Sequence, residues 1–337
     1  MTTSVRGTLK KLVNDPADVA VELVAAFADA HPDLVRRVGE RVLARADQTP
    51  DKVGIATGGG SGHEPAFLGY VGPGGADAVA VGNIFTSPSP DAILTSIQHA
   101  DRGRGVLLVY GNYSGDVMNC RLAVRRAAAA GIEVRQLFVS DDLASAAADE
   151  PDRRRGIAGD AMVLKMVGAA AEAGLSLDEV EAVGRAANSR TRTIGVALSS
   201  AELPGAAQPI FTTPGDHMEV GLGVHGEPGI SREKLGTADE VGAMLAGRLL
   251  GDIACPPGST VALLVNGLGA TPLLEQYLVH HAVLRRLTEN GISVYRSMVG
   301  EFVTSLQMAG LSVTITVLDD RLQQLLDAPI RTVALCR

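Results

Sequence analysis

The sequence predicts an α/β protein with two domains, each built on a mostly parallel or mixed sheet flanked by helices. Short apolar runs alternate with longer amphipathic segments, which is the pattern of strands and helices in that class. The chain has 337 residues and a hydrophobic content of 46%, enough for two medium-sized cores. A second series of strands begins near Thr193, so the predicted domains are residues 1–190 and 191–337.

The first domain is predicted to open with two amphipathic helices, at residues 17–29 and 32–45. Brief apolar runs then alternate with helical segments. The predicted strands are residues 53–57, 78–81, 106–110 and 134–139, and the predicted helices are residues 91–100, 116–130 and 160–173. This order favours a mostly parallel sheet with helices on both faces.

The second domain has two clear helical patterns and five strand-like runs. The predicted strands are residues 193–198, 218–224, 261–265, 293–299 and 313–318, and the helices are residues 238–250 and 272–290. Thr271 is the predicted N-cap of the last helix, and Pro272 its first residue. Residues 199–215, rich in Pro, Ala and Gly, are predicted to form a loop.

Composition excludes several function classes. The formal charge is −8 and no basic stripe is present, which argues against nucleic acid as a partner. The arginine run at residues 153–155 is expected to be a solvated loop. Three widely spaced cysteines without a CxxC motif fit a reducing cytoplasm. No signal-peptide pattern opens the chain, and no apolar run reaches the ~18 residues that a membrane span needs. We therefore expect a cytoplasmic protein without membrane association.

The glycine-rich stretch GGGSGHEP at residues 58–65 follows the first predicted strand. It lacks the Lys-Ser/Thr of a P-loop, and His63 stands where a dinucleotide-binding motif has its third glycine. Ligands of open α/β sheets lie beyond the carboxyl ends of strands. We therefore expect Gly60, Ser61 and Gly62 to bind a small molecule, with His63 as an acid, base or hydrogen-bond partner. The alternative is a tight turn with a capping histidine.

A second polar loop, GNYSGD at residues 111–116, follows the predicted strand at residues 106–110. The two loops should share one edge of the sheet, which places His63 and Asp116 near each other. Asp116 can accept a proton from a substrate hydroxyl. It can equally cap the following helix.

The third motif, EVGLGVHGEPG at residues 219–229, contains a literal GxGxxG, but a strand runs through it and no helix opens within it. The better interpretation is an exposed His225 at the end of a strand. A neutral imidazole is a competent nucleophile and can add reversibly to a ketone as a hemiaminal.

Two further motifs are ambiguous or uninformative. VNGLGATP at residues 265–272 is either an anion-binding turn or a structural turn. The adjacent His280 and His281 lack HExxH spacing and face different ways on a helix, so core and surface roles are expected. No metal site is predicted.

The motifs together resemble the substrate-binding (K) subunit of the dihydroxyacetone kinase family, along nearly the whole chain. The matching stretches are GGGSGHEP (58–65), NYSGDVMN (112–119), RGIAGD (155–160), EVGLGVHGEPG (219–229), VNGLGATP (265–272) and TSLQMAGLSVTI (304–315). The resemblance implies two α/β domains and a homodimer. It also implies that His225 binds the ketone covalently, while His63 and Asp116 orient the substrate and assist deprotonation of its attacking hydroxyl.

The resemblance also bears on the phosphoryl donor and the substrate. The sequence ends at Arg337 without the family's helical nucleotide domain, so no cofactor is expected on this chain. ATP or ADP with Mg²⁺ is expected on a separate nucleotide-binding L-type subunit. Members specific for dihydroxyacetone usually carry Lys where this chain has Gly111. Dihydroxyacetone is the expected ketose, with four-carbon erythrulose as the alternative.

Two rival functions come from other classes. One is a non-catalytic paralogue that binds the ketose as a co-activator or sensor, which would also need His63, Asp116 and His225. The other is a plain anion-binding Rossmann-type protein, which predicts no covalent adduct.

Overall fold

The computed structural model describes residues 11–47 and 49–336, so residues 1–10 of the first predicted domain and Arg337 of the second lie outside it. The helices are α1 (Val19–Ala30), α2 (Pro90–Ala100), α3 (Ser114–Ala129), α4 (Gly159–Glu172), α5 (Leu177–Ser189), α6 (Ala238–Asp252), α7 (Leu273–Glu289) and α8 (Asp320–Asp327). The strands are β1 (Val35–Gly39), β2 (Val42–Arg45), β3 (Gly54–Ser61), β4 (Ala78–Ile84), β5 (Val106–Gly111), β6 (Val134–Val139), β7 (Thr191–Ala197), β8 (His217–Val220), β9 (Ser231–Lys234), β10 (Thr260–Gly267), β11 (Ser293–Gly300) and β12 (Gly310–Leu318). These elements confirm the predicted α/β class.

The first sheet has the order β1-β2-β4-β3-β5-β6. Its last four strands pair in parallel, as predicted, while β1 and β2 form an antiparallel hairpin at one edge. The prediction of a helix at residues 32–45 is therefore wrong. Every residue of β2 is buried between its neighbours β1 and β4, where Val42 pairs with Gly39 on one side and Ala80 on the other. Gly39, a poor helix former, is the last residue of β1.

The glycine run at residues 58–60 lies inside β3 rather than in a loop after it. Each glycine pairs with β4, in the order Ala80, Val81 and Gly82. A Cβ on Gly59 would lie 2.1 Å from Cε2 of Phe67, so a side chain there cannot be accommodated without movement. Because these residues have no side chains, neighbouring groups pack directly against the backbone of β3. The strand ends at Ser61, so His63 lies at the edge of the sheet.

The second sheet has the order β11-β10-β12-β7-β8-β9 and is mixed. Only β10 and β11 pair in parallel, and the other four pairings are antiparallel. Strand β8 ends at Val220 instead of the predicted residue 224, because Gly221 turns the chain at a φ of 72°. The predicted cap of α7 is also wrong: Pro272 is the N-cap, while the Thr271 hydroxyl donates to the Gly310 carbonyl at 2.7 Å.

Helix α4 links the two sheets. All its residues except the last are buried, which explains its apolar sequence. It packs against β3, β5 and β6 of the first sheet and also against β7 of the second. One hydrophobic core accordingly contains Val109 of β5, Leu264 of β10 and Leu322 of α8. The strands come from either side of residue 190, but the two halves share this interior. Among the described residues, no helix is long and apolar enough to span a membrane.

Candidate functional site

The site is centred on two histidines that the two halves of the chain bring into contact. His63 follows β3, and His225 lies in the loop after β8. Their Nε2 atoms are 3.0 Å apart. His63 is 3% exposed. The His225 side chain is 24% exposed, so it is half-buried in a loop rather than exposed at a strand end as predicted.

Hydrogen bonds at the other ring nitrogens fix how the two histidines face each other. His63 Nδ1 donates to the Thr304 carbonyl at 2.7 Å, and His225 Nδ1 donates to Glu227 Oε1 at 3.0 Å. We assign both Nδ1 protons from these partners, because a carbonyl and a carboxylate only accept. Both Nε2 lone pairs then point into the site. A hydrogen bond between them requires one additional proton, shared by the pair.

The electrostatics favour a neutral His63 beside an ionised Glu227. Burial, together with the charge of His225, lowers the pKa of His63 to about 3. Burial opposes ionisation of Glu227, but its hydrogen bond to His225 and the nearby charge of Arg155 bring its pKa to about 2. Glu227 therefore keeps a proton on Nδ1 of His225 and leaves Nε2 of that ring as the reactive atom.

Residues 304–306, which follow β11, form hydrogen bonds to the loops that carry the two histidines. The Thr304 N–H donates to the His63 carbonyl at 3.1 Å, and the Leu306 N–H donates to the Gly62 carbonyl at 2.7 Å. The Ser305 hydroxyl donates to the Val224 carbonyl, next to His225. The late TSLQMAGLSVTI motif thus begins with the residues that hold the two loops together, a role that sequence reasoning missed.

Asp116 belongs to the first turn of α3 and does not cap it. The N-cap is Tyr113, and it makes no side-chain capping bond. The Asp116 Oδ1 atom is buried without a hydrogen-bond partner. Burial raises the pKa of Asp116 to about 6, opposed by a hydrogen bond with Ser87 and by the charge of His225. The cap interpretation is therefore wrong, and this carboxylate is free to accept a proton near neutral pH.

Aromatic rings enclose the histidine pair. Phe85 stacks on His63 with ring centroids 4.8 Å apart, and Tyr113 packs edge-on against His225 at 4.8 Å. These contacts fix both imidazoles and limit the access of water. The sequence analysis missed Phe85, Tyr113 and Glu227 as individual residues, although Tyr113 and Glu227 lie inside motifs that it identified.

Several polar atoms near this centre are buried without a hydrogen-bond partner in the protein. They are Ser61 Oγ, Tyr110 Oη, Tyr113 Oη, Asp116 Oδ1 and Asp160 Oδ1. Buried polar atoms are seldom left unpaired unless a ligand or water completes them. A cluster of them beside two imidazoles suits a small polyhydroxylated molecule.

The glycines predicted to bind substrate differ in their surroundings. Gly60 lies in β3, and the Gly62 N–H already donates to the Glu64 carboxylate, with both oxygens at 3.0 Å. Gly111 is the last residue of β5. A Cβ there would lie 3.2 Å from Cε2 of Tyr113 and 3.3 Å from Oδ2 of Asp160, so Gly111 borders two of the unpaired groups. Ligand binding by these glycines and by Ser61 stays a prediction.

Other sequence features lie outside this centre. In the 265–272 turn, the Leu268 and Ala270 N–H groups donate to backbone carbonyls, which favours the structural interpretation. In the arginine run, only Arg153 is solvated, because Arg154 is buried and binds Asp252 with both oxygens at 2.6 Å. Within the described residues, no group of three or more His, Cys, Asp or Glu side chains is placed to hold a metal ion.

Comparison with known proteins adds relatives along almost the full chain. The model of the Dak1 domain family matches residues 25–334. The PTS-dependent dihydroxyacetone kinase 1, dihydroxyacetone-binding subunit DhaK, of Listeria innocua is 44% identical over 97% of this chain and 100% of that protein. The D-erythrulose kinase of Mycolicibacterium smegmatis is 47% identical over 97% of this chain but only 56% of its own length.

A solved structure has the same fold throughout. The dihydroxyacetone kinase operon co-activator Dha-DhaQ superposes with a TM-score of 0.86 at 32% identity, over 93% of this chain and 96% of its own. Proteins described as a kinase subunit, a kinase and a co-activator are therefore all similar to this chain.

Proposed function

Because the chain belongs to the Dak1 domain family, we propose that it is the substrate-binding subunit of a dihydroxyacetone-type kinase. It holds a short ketose as a hemiaminal on His225 while a partner subunit phosphorylates a terminal hydroxyl. One observation carries the proposal: the 3.0 Å contact between Nε2 of His63 and Nε2 of His225 inside a buried site with unpaired polar groups.

Adduct formation follows from this geometry. The Nε2 lone pair of His225 forms a C–N bond to the ketone carbon, and the π electrons of the carbonyl move to its oxygen. That oxygen takes a proton from solvent and becomes a hydroxyl, while His63 stays neutral throughout. The adduct carries one positive charge on the His225 ring, and Glu227 stabilises that charge through Nδ1.

Covalent capture explains how such a site discriminates between similar small molecules. Glycerol offers hydroxyl groups but no carbonyl, so it cannot form the C–N bond. Asp116 then accepts the proton of the hydroxyl that attacks phosphorus, as a general base whose pKa lies close to the working pH. His63 orients the substrate through the Nε2 atom that the adduct leaves free.

We place the phosphoryl donor outside this chain. ATP or ADP with Mg²⁺ is bound by a separate nucleotide-binding L-type subunit, which docks on a homodimer of this chain in the cytoplasm. Support comes from the Listeria protein described as a dihydroxyacetone-binding subunit, which this chain matches over that protein's full length.

The direct test is detection of the adduct. Dihydroxyacetone labelled with ¹³C at the carbonyl is added to the protein, and the carbonyl signal should move to the range of a carbon bearing nitrogen and oxygen. His225→Ala should abolish the new signal, while His281→Ala on the exposed face of α7 should retain it. Binding of the ketose to the wild-type protein without the new signal would refute the proposal.

A four-carbon ketose is the second candidate substrate. Gly111 stands where the resemblance implies Lys in dihydroxyacetone-specific members, and a D-erythrulose kinase is 47% identical to this chain. The co-activator alternative is separated from both by turnover: a ketose-binding co-activator would form the adduct but would yield no ketose phosphate with any charged partner subunit.

A further inference from the structure

Arg155 is a largely buried arginine that lies between two carboxylates beside the histidine centre. Its side chain is 14% exposed. Its Nε donates to Asp142 Oδ2 at 3.0 Å, and its Nη2 lies 2.8 Å from the same oxygen. Its Nη1 lies 3.6 Å from Oε2 of Glu227. The arginine run was expected to be a solvated loop, and these ion pairs correct that expectation for Arg155.

The turn that begins at Asp142 fixes Arg155 from the first half of the chain. The Asp142 side chain is 2% exposed, and its Oδ1 atom accepts the Ala144 N–H at 3.0 Å. The Asp142 N–H donates to the Arg155 carbonyl at 3.0 Å. The Arg155 N–H donates in turn to the Ser145 hydroxyl at 2.9 Å. Backbone and side chain of Arg155 are both held in this way, and Nη1 is left to face Glu227.

Glu227 belongs to the same loop as His225, and its contacts within that loop cannot fix it relative to the first half of the chain. Its Oε1 accepts Nδ1–H of His225, and its Oε2 accepts the His225 N–H, each at 3.0 Å. Gly223 makes room for the ion pair with Arg155. A Cβ there would lie 2.1 Å from Oε2 of Glu227 and 2.5 Å from Nη1 of Arg155. Arg155 thus supplies the contact that joins Glu227 to the other half.

We propose that Arg155 is a positioning residue that holds the Glu227 carboxylate against Nδ1 of His225 and so keeps the Nε2 lone pair of that ring available to the ketose. The inference rests on the proposed function, because it concerns how His225 is prepared for the ketone. The tautomer of an imidazole is set by the hydrogen bond that its other nitrogen makes. When Glu227 turns away, the proton can move to Nε2, and that nitrogen can no longer attack a carbonyl carbon. Arginine suits this role because its planar fork reaches two carboxylates at once.

The first measurement is the tautomer of His225, and it needs no ketose. Two-bond ¹H–¹⁵N spectra of protein with labelled histidine distinguish Nδ1–H from Nε2–H rings, and His225→Ala identifies the signal. At pH 8, where an ordinary imidazole is neutral, the wild-type ring should carry Nδ1–H. Arg155→Met keeps an apolar stem but removes the charge, and should shift the ring towards Nε2–H. Arg155→Lys keeps the charge without the fork, and should lie between the two.

The second measurement is the ¹³C adduct with labelled dihydroxyacetone. Arg155→Met should weaken adduct formation about 10-fold, within the range of coupling between contacting groups. In a Glu227→Gln background the same change should have little further effect, because a residue that acts through Glu227 then has no carboxylate to position. Arg285→Met is the control. It breaks an arginine–aspartate pair at 3.0 Å between α7 and α6, and it should change neither measurement.

If Arg155→Met fails to fold, Gly223→Ala serves instead, because its methyl group would displace the ion pair of Glu227 with Arg155 and should shift the tautomer in the same direction. An unchanged His225 tautomer in the folded variant, or a loss of adduct that adds in full to that of Glu227→Gln, would overturn the role of Arg155. A wild-type protein that carries Nδ1–H on His225 but binds ketose without the adduct would instead overturn the proposed function, and the role of Arg155 in preparing His225 with it.

Discussion

At the scale of single residues, the chemistry depends on which proton each imidazole carries. The Thr304 carbonyl and the Glu227 carboxylate each accept an Nδ1 proton, so both Nε2 lone pairs point into the candidate site. Burial keeps His63 neutral, so its Nε2 atom can accept a hydrogen bond from a ligand hydroxyl. Two groups set this arrangement: the backbone carbonyl of Thr304, and the carboxylate of Glu227, which lies two residues after His225.

Replacing Asp116 with Asn should remove the general base while keeping the side-chain shape. With the partner subunit present, we expect a loss of about 10²–10⁴ in rate. The wild-type rate should fall below pH about 6, because the buried carboxyl is protonated there and cannot accept a proton, and should level off above it. The pH–rate profile is the measurement. Near-normal turnover of the variant, or a wild-type profile flat through pH 6, would contradict this role.

Glu227 is a positioning residue, and Glu227→Gln tests its charge. The amide can still accept from Nδ1 of His225 but no longer stabilises the positive adduct. We expect the ketose to bind about 10- to 100-fold more weakly, since a charge-assisted bond contributes about 1.5–3 kcal/mol. The ¹³C adduct signal should become weaker at equal ketose concentration. Glu233→Gln, in β9 and bound to Arg248, is the control. Unchanged adduct formation in Glu227→Gln would show that the charge is dispensable.

At the scale of elements, the glycines of strand β3 allow bulky side chains to pack directly against its backbone. Its burial pattern is that of a central parallel strand, yet residues 58–60 carry no side chains. The ring of Phe67 occupies the space next to Gly59, and the Tyr110 hydroxyl occupies the space next to Gly58. This packing determines where His63 emerges.

Gly59→Ala should therefore destabilise the protein and displace His63. The added methyl would lie 2.1 Å from the Phe67 ring, and overpacking of this kind costs about 1–3 kcal/mol. Gly247→Ala in α6 is a matched control, because nothing lies within 4 Å of its Cβ position and alanine favours a helix by up to about 1 kcal/mol. Denaturant unfolding measures both variants. Equal stability of the two would show that β3 can adjust to a side chain.

At the scale of the whole molecule, the two sheets are held in one interior by α4. Residues from both halves of the chain build the candidate site: His63 and Asp116 come from the first, and His225, Glu227 and Thr304 from the second. Small shifts of one sheet against the other would separate the two Nε2 atoms, so the common core also fixes the distance between the imidazoles.

The isolated chain should bind ketose but should not consume ATP. The proposed division of labour assigns the nucleotide and Mg²⁺ to a separate subunit. A coupled assay with ATP, Mg²⁺ and dihydroxyacetone or erythrulose should give no ketose phosphate until the nucleotide-binding subunit is added. His225→Ala should remain inactive even with that subunit. Phosphorylation by the isolated chain would require a nucleotide site within it.

The sequence by itself determined the α/β class and the identity of the main polar residues. Local patterns were sufficient, because strand and helix periodicity and glycine-flanked histidines are properties of neighbouring residues. The motifs also carried the family resemblance. The prediction of a helix at residues 32–45 failed because the local pattern there is ambiguous. These residues form a hairpin since β2 is buried beside β4, a partner distant in the chain.

Only the tertiary structure decided how the site is assembled. The contact between His63 and His225 joins residues 162 positions apart, and the bond from His63 to Thr304 spans 241. Asp116 looks like an ordinary residue in the first turn of a helix until its buried, unpaired Oδ1 atom is seen. Proton placement, burial and unpaired polar atoms depend on neighbours brought together by folding, and no local pattern records them.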